Sequence, residues 1–468
     1  MQLKSGSHIH LMGICGTAMG SLAGILQSMG YKVTGSDENV YPPMSTQLES
    51  LGISIMQGYR KENLNPRPDL VVVGNVISSH FEEAQEMVRL EIPYTSLPKA
   101  MGEWVIGDRN SVVIAGTHGK TTTTSYMSWI AEVCGNKPGF LIGGIPLNFD
   151  HSFRSPTGDW FCIEGDEYDT AYFDKVPKFI HYKPKYVILT SVEFDHADIY
   201  SDMNEIRKAF EALVERIPED GLLVANGEDK EVMKLVASAK CKVITYGLEH
   251  GDYSVRGRES VVGRNQFSVI REGKNIADIA IKQFGPHNTM NALASYALAR
   301  ELEWPHHLIL QGLAQFKGVK RRQEVILDNP DITVIDDFAH HPTAVRLTLD
   351  CMREAYGDRR LICIFEPRSA TARRNVFYNE YLESYSRADW VIYPKAFNQS
   401  KIPEADRFNS EQFIEDLSHK GVRASFIENT DEIVKALVDE HQAGDVVLIM
   451  SNGGFDGIYH KIMSRFGG

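Results

Sequence analysis

The stretch Ser111-Val112-Val113-Ile114-Ala115-Gly116-Thr117-His118-Gly119-Lys120-Thr121-Thr122-Thr123-Thr124 constrains this chain more than any other. An apolar, β-branched run meets a glycine-bounded turn. The turn meets a segment with Tyr126, Trp129, Ile130 and Val133 at helical spacing, which stops near Gly135. Strand, tight turn and helix in that order make a phosphate loop. Backbone N–H groups around Gly116, Thr117, His118, Gly119 and Lys120, with the positive end of the following helix, form a cradle for a polyphosphate. A Cβ at the glycines would collide with phosphate oxygens or forbid the turn. Lys120 is long enough to reach β- and γ-oxygens, and the Thr121 hydroxyl suits Mg²⁺. The spacing reads G-T-H-G-K-T; the general G-x-x-x-x-G-K-[ST] pattern would need a glycine where Ile114 stands.

With 468 residues there is room for two to four domains. A net charge of −13 argues against nucleic acid or an anionic membrane as partner, so anionic ligands require local basic pockets. The six cysteines, at 15, 134, 162, 241, 351 and 363, form no C-x-x-C pair and read as reduced thiols of a cytoplasmic protein. The N-terminus carries no signal-peptide pattern, and no apolar run approaches the roughly 18 residues of a spanning helix.

The chain opens with a strand, His8–Met12, then Gly13-Ile-Cys15-Gly16-Thr17-Ala-Met-Gly20, an apolar helix ending at Gly30, and a second strand running into Asp37. This is a Rossmann-like opening, although its G-x-x-G-x-x-x-G spacing is not the dinucleotide fingerprint. Tyr41-Pro-Pro-Met-Ser-Thr46 is predicted as a loop on its proline content, and Leu70–Gly74 as a third strand. A polar hinge at 107–110 closes this region. Trp160–Ile163 is a buried strand ending in Glu164-Gly-Asp166-Glu167-Tyr-Asp169. Tyr186–Thr190 is another, ending in Ser191-Val-Glu193-Phe-Asp195-His196-Ala-Asp198. Hard oxygen ligands and a histidine at strand ends beside a phosphate loop suit Mg²⁺, and solvated acidic turns are the alternative. Residues 221–283 are expected to form a small sheet of structural role, and Asn288 to cap the helix that follows. Strands at 332–335, 361–365, 390–393 and 446–450 then build a second Rossmann-like unit, with Pro342 in the first turn of a helix.

Ala115-Gly-Thr-His-Gly-Lys-Thr-Thr-Thr123 closely resembles the ATP loop of the Mur ligase family, ATP-dependent amide ligases that build the peptide of bacterial cell-wall precursors. At least five ordered motifs extend the resemblance over essentially the whole chain. It implies an α/β, three-domain architecture: a UDP-sugar-binding Rossmann-like domain (1–107), a central P-loop ATPase-like domain (108–317) and a C-terminal Rossmann-like domain for the amine substrate (318–468). By the same resemblance Gly13, Cys15, Gly16, Thr17 and Asp37 contact UDP. Gly116, Thr117, His118, Gly119, Lys120, Thr121, Thr122, Asn288, Arg322 and Asp337 contact ATP. Thr121 and Glu164 hold a Mg²⁺ bridging the β- and γ-phosphates, and His196 ligates a second ion. Lys120, Glu164, His196 and His340 are the catalytic set, and Ser191, His341, Arg368 and Asn452 meet the substrates. One of His340 and His341 is expected to act as the base while the other caps or packs. The family commonly has asparagine where Ser191 stands. Several members also carry a carbamylated lysine about fifteen residues after the motif histidine; here that position is Glu211, and the nearby Lys208 is not assigned the role.

The resemblance implies phosphorylation of a substrate carboxylate by ATP, attack of an amine on the acyl phosphate, and loss of phosphate. Partners are then UDP-N-acetylmuramate and an amine donor, with the protein a monomer or weak homo-oligomer. Tyr41-Pro-Pro-Met-Ser-Thr, Phe194-Asp-His-Ala-Asp, Glu366-Pro-Arg368-Ser and Ser451-Asn452-Gly-Gly-Phe455 resemble the recycling branch, whose donor is the tripeptide L-alanyl-γ-D-glutamyl-meso-diaminopimelate. Three carboxylates on that donor suit Arg368, Arg373 and Arg374, with an exposed arginine face the alternative for Arg373 and Arg374. The alternatives are a UDP-N-acetylmuramate–L-alanine ligase, which shares Asp336-Asp337-aromatic-x-His340-His341-Pro342; a nucleotide-gated binding protein without ligase chemistry; and a polyglutamate-adding ligase, disfavoured by the first domain.

Overall fold

A computed structural model describes residues 3–40, 44–194, 199–261, 263–400 and 402–467. The chain forms two compact units. One takes the chain up to Val192, then Asn204–Ser254 and Asn291–Phe316; the other takes Glu193–Met203, Val255–Met290 and the chain from Lys317 onward.

The first unit begins with β1 (His8–Met12), β2 (Lys32–Asp37), β3 (Ser54–Gln57), β4 (Leu70–Val73) and β5 (Tyr94–Ser96). They pair in parallel in the order β3-β2-β1-β4-β5. The order reverses beside β1, so the glycine turn after β1 lies at a switch point, where parallel sheets leave a crevice at their carboxyl ends. Two of the five strands escape the sequence pattern: β3 is half-exposed and β5 has three residues. The predicted loop is corrected too, since Met44, Ser45 and Thr46 begin the helix Met44–Ser50. Proline disfavours a helix interior but not the residues just before one. Tyr41, Pro42 and Pro43 lie outside the described residues.

The same unit holds β6 (Asn110–Ala115), β7 (Gly139–Leu141), β8 (Phe153–Arg154), β9 (Trp160–Gly165), the hairpin β10 (Asp169–Ala171) and β11 (Asp174–Pro177), β12 (Tyr186–Leu189), β13 (Leu222–Asn226) and β14 (Lys242–Tyr246). Seven of them form one sheet, β14-β13-β12-β6-β9-β7-β8, parallel except for β8. β13 and β14 therefore belong to the central sheet, with the helix Lys230–Val236 between them, and not to a separate small sheet. β13 is buried from Leu222 to Ala225 and β14 is a half-buried strand beside it; both are short runs followed by glycine turns, a pattern that a small separate sheet shares. β6 sits at the switch point, flanked by β12 and β9 with Leu189 and Gly165 both level with Ala115. That register brings Glu164 and Ser191 to the mouth of the phosphate loop.

In the second unit β15 (Ser254–Val261), β16 (Arg264–Arg271) and β17 (Lys274–Ile281) make a three-stranded sheet. β18 (Glu324–Asp328), β19 (Ile332–Asp337), β20 (Leu361–Phe365), β21 (Trp390–Tyr393), β22 (Ala424–Phe426) and β23 (Asp445–Met450) make another, ordered β18-β19-β23-β20-β21-β22. Only β18 runs antiparallel. Alternate residues feed two cores: Cys363, Phe365, Tyr393, Leu448 and Met450 face one, while Ile362, Ile364, Trp390, Val447 and Ile449 face the other. Burial on both faces explains the nearly continuous apolar runs of these strands. No described helix is long and apolar enough to cross a membrane.

Candidate active site

The turn Gly116–Gly119 joins β6 to the helix Lys120–Val133. Gly116 has φ +130°, and a Cβ there would lie 2.2 Å from Thr190 Oγ1 and 2.7 Å from the Ser191 carbonyl; at Gly119, with φ +82°, it would lie 2.6 Å from Asn291 Oδ1. The protein's own packing, besides any phosphate, therefore demands both glycines. Thr117 N–H donates to the Ser191 carbonyl (2.8 Å) and His118 N–H to Ser191 Oγ (3.1 Å). Thr190 Oγ1 donates to the His118 carbonyl at 2.6 Å. The expected cradle shifts accordingly. Two of its N–H groups brace the loop, and the first helical turn, from Lys120 through Thr121 and the buried Thr122, presents those that helix geometry leaves over. Ser191 is placed against the loop in this structure.

Lys120 Nζ donates to the Gly116 carbonyl at 2.5 Å and pairs with Glu167 at 3.2 Å. Burial alone would lower the Lys120 pKa, but Glu167, Asp166 and Glu164 together hold it above its ordinary value. The carboxylate cluster thus resolves into partners: Glu167 with Lys120, Asp166 with Lys178 and Asp169 with Lys175. Glu164 accepts from Thr121 Oγ1 (3.1 Å) and from Gly143 N–H (2.6 Å). Hydroxyl and carboxylate side by side at a phosphate loop are the hard oxygen donors that Mg²⁺ takes. Glu167 and Asn291, whose Oδ1 accepts from Thr123 Oγ1, were not singled out by sequence. Nothing in the spacing distinguishes Glu167 from the acids around it. His196 lies outside the described residues.

At the end of β1, Gly13 and Ile14 N–H donate to the Ser36 carbonyl, and Gly13 has φ +85°. Asp37 accepts from Cys15 N–H (2.9 Å) and Asn39 N–H (3.0 Å), so its carboxylate ties the glycine turn to the end of β2. Burial, with Asp37 nearby, pushes the Cys15 thiol up to about 11. Gly16 and Thr17 are exposed on the open side of that turn. Beneath it, Glu83 accepts from Ser36 Oγ (3.0 Å) and pairs with His10 (2.7 Å), both side chains fully buried. Sequence gave no sign of this support, because Glu83 lies on the helix Glu82–Arg89 and meets β1 and β2 only in space.

In the second unit, Asn288 lies inside the helix Pro286–Glu301 and is not its N-cap; its Nδ2 donates to the Phe284 carbonyl and to Gln323 Oε1 (2.9 Å). A proline can open a helix two residues earlier than an asparagine signal suggests. The Arg322 guanidinium lies 4.8 Å from the Phe338 ring centroid, and its neighbour Arg321 donates to Asp336 and the Ser451 carbonyl. Asp337 is buried and accepts from Gln323 N–H and Ala339 N–H, both at 2.8 Å. His341 is the N-cap of the helix Pro342–Tyr356, its ring accepting from Thr343 N–H. His340 Nδ1 lies 3.0 Å from the Phe338 carbonyl. A carbonyl can only accept, so Nδ1 carries the proton and Nε2 is the basic nitrogen of the neutral ring. Arg368 and Asn452 sit on the loops leaving β20 and β23, which neighbour each other in the sheet.

Family models match the chain in three blocks: Mur ligase family, catalytic domain, over residues 8–109; Mur ligase middle domain over 114–299; and Mur ligase, glutamate ligase domain, over 321–453. The UDP-N-acetylmuramate–L-alanyl-γ-D-glutamyl-meso-2,6-diaminoheptandioate ligase of Escherichia coli is 38% identical over 456 residues, 97% of each chain. A UDP-N-acetylmuramate–L-alanine ligase of Clostridium botulinum is 30% identical over 449 residues, 95% of each. Among solved structures, a murein peptide ligase from Psychrobacter arcticus matches with TM-score 0.73 at 36% identity, covering 99% of each chain. A UDP-N-acetylmuramate–alanine ligase from Thermotoga maritima matches with TM-score 0.82 at 25% identity, covering 98% of this chain and 99% of that one.

Proposed function

The chain belongs to the Mur ligase family, and on that premise we propose that it joins L-alanyl-γ-D-glutamyl-meso-diaminopimelate to UDP-N-acetylmuramate, in recycling of cell-wall peptide. It is an ATP-dependent ligase that forms amide bonds. The full-length similarity to a ligase of that named activity carries the donor assignment. The three arginines at 368, 373 and 374 support it, since the tripeptide brings three carboxylates and L-alanine only one. We place the reaction in the cytoplasm, where ATP and the UDP-sugar occur, and assign the domains as 1–107 for the sugar nucleotide, 108–317 for ATP and 318–468 for the donor.

The muramate carboxylate attacks the γ-phosphorus and ADP leaves, giving an acyl phosphate. The donor's amino nitrogen then attacks the acyl carbon, and the tetrahedral intermediate expels phosphate with the C–O bonding pair. Lys120, held charged by Glu167, stabilises the charge that grows on the transferring phosphoryl group, with Arg322 as a second cation. Thr121 and Glu164 would hold Mg²⁺, which when bound offsets the charge of the β- and γ-phosphates. His340 takes the proton that the amine must lose, through Nε2. His341, as helix cap, fixes the turn that carries His340. Asn288 meets the adenine. Gly13, Cys15, Gly16 and Thr17 line the UDP turn that Asp37 braces.

The test is ADP release with UDP-N-acetylmuramate and either the tripeptide or free L-alanine. We expect strong preference for the tripeptide, and a loss of about 10- to 100-fold in tripeptide kcat/KM for Arg368→Ala, as for a charged hydrogen bond. Comparable efficiency with L-alanine would move the protein to the biosynthetic branch.

A further inference from the structure

Gly453 has an ordinary backbone conformation, so its lack of a side chain needs another reason. A Cβ there would lie 2.0 Å from Arg368 Nε, 2.2 Å from Cδ and 2.4 Å from Cζ. The guanidinium stem of Arg368 occupies the volume a side chain would take. The Phe397 ring, 41% exposed, meets the same group, with Arg368 Cζ only 3.8 Å from its centroid. That separation leaves no room for water between ring and cation.

Both contacts are held firmly. Phe397 N–H donates to the Pro367 carbonyl (3.0 Å), Arg373 Nη1 donates to the Asn398 carbonyl (2.7 Å), and Gln399 Nε2 donates to the Arg373 carbonyl (2.9 Å). Asn398 adopts φ +36°, a strained conformation beside the residue it presents. On the other side Gly453 N–H donates to Ser451 Oγ, which donates in turn to Glu366 Oε2. Glu366 Oε1 accepts from Arg368 Nη1 at 3.3 Å, the one hydrogen bond that Arg368's guanidinium makes among the described residues. Arginine has five N–H donors. An exposed aromatic residue, a strained turn and a glycine are thus all arranged around one cation that keeps most of its donors for something else.

We propose that Phe397 and Gly453 are positioning residues that set Arg368 as a rigid receptor for a carboxylate of the amine donor. This rests on the donor role assigned to Arg368 above. Packing the ring and the glycine backbone against the guanidinium fixes its plane, so a carboxylate meets two parallel donors without first ordering a flexible side chain. Burial, and the charges of Arg374 and Arg368, lower the Arg373 pKa, so an arriving anion also relieves repulsion within the cluster.

The experiment measures KM and kcat for donor and for UDP-N-acetylmuramate in Phe397→Ala, Phe397→Tyr and Gly453→Ala. Wild type is run first with the tripeptide and with L-alanine, and the series uses whichever donor it turns over, since both carry a carboxylate. We expect Phe397→Ala to raise donor KM about tenfold, between the scales of exposed and desolvated cation–π contacts, with kcat and sugar KM within about twofold. Phe397→Tyr should restore the wild-type donor KM, and Gly453→Ala should raise it as Phe397→Ala does. An unchanged donor KM in Phe397→Ala, an equal rise in sugar KM, or a tyrosine variant as impaired as the alanine one would overturn the proposal. Wild-type preference for L-alanine would overturn the tripeptide assignment alone.

Discussion

At the level of single residues, the pair Lys120–Glu167 decides how the phosphate loop acts. A buried ammonium keeps its charge only with a counter-charge nearby, and Glu167, itself 2% exposed, supplies most of it. Lys120→Ala should leave a folded protein with kcat lower by about 10²–10³-fold, the scale of losing a cation that stabilises the transition state. Glu167→Gln keeps the shape and removes the charge. Burial then dominates, the Lys120 pKa falls, and the alkaline limb of the kcat–pH profile should move to lower pH. An alkaline limb in the same place would mean that Asp166 and Glu164 suffice. Lys120 was readable because its place in G-T-H-G-K-T has a chemical reason. Glu167 was not, because which of several neighbouring acids turns inward depends on where Lys175 and Lys178 stand.

Among the elements, β19 ends in two carboxylates. Its last two residues, Asp336 and Asp337, are both buried. Burial pushes the Asp336 carboxyl up to about 6 even against the Arg321 guanidinium 3.0 Å away. A carboxyl whose folded pKa is raised holds its proton more tightly folded than unfolded. Its stabilising contribution is complete below the ordinary value near 3.8 and is lost as pH rises through about 6. Asp336→Asn removes this titration. Between about pH 4 and pH 7 the stability of the variant relative to wild type should therefore change in the variant's favour, by up to about 3 kcal/mol for a shift of some two units. Urea midpoints at the two pH values check this; parallel curves would show that Asp336 does not titrate in that window. The strand itself was legible from Ile332-Thr-Val-Ile335. Its extension through two aspartates was not, because their burial depends on Arg321 and on backbone donors supplied by Gln323 and Ala339.

For the whole molecule, the proposed chemistry divides between the two units. Lys120 and Glu164 belong to one, Asp337 and His340 to the other, and the proposed mechanism uses residues of both. Binding of an ATP analogue together with UDP-N-acetylmuramate should therefore compact the protein, because closure around substrate completes such a site and excludes water. Small-angle scattering should register a smaller radius of gyration with both ligands than with neither. An unchanged radius would argue against a closing motion.

The α/β class, the phosphate loop, the glycine turn after the first strand and most strands of both Rossmann-like sheets followed from sequence alone. Each is local: β-branched runs, turn glycines and helical spacing act within ten or fifteen residues. Sequence also put Arg368, Asn452 and the His340–His341 pair just after apolar runs, and the structure has them on segments that follow β20, β23 and β19. Tertiary structure decided what needs distant partners. It drew β13 and β14 into the central sheet, made His341 a helix cap, and turned Ser191, Asp37 and Asp337 into braces for neighbouring segments. It also brought Phe397 and Gly453 against Arg368 from loops 29 and 85 residues further along the chain. A sheet sets strands side by side regardless of their separation in sequence, so residues at neighbouring carboxyl ends meet without any local signal that they will.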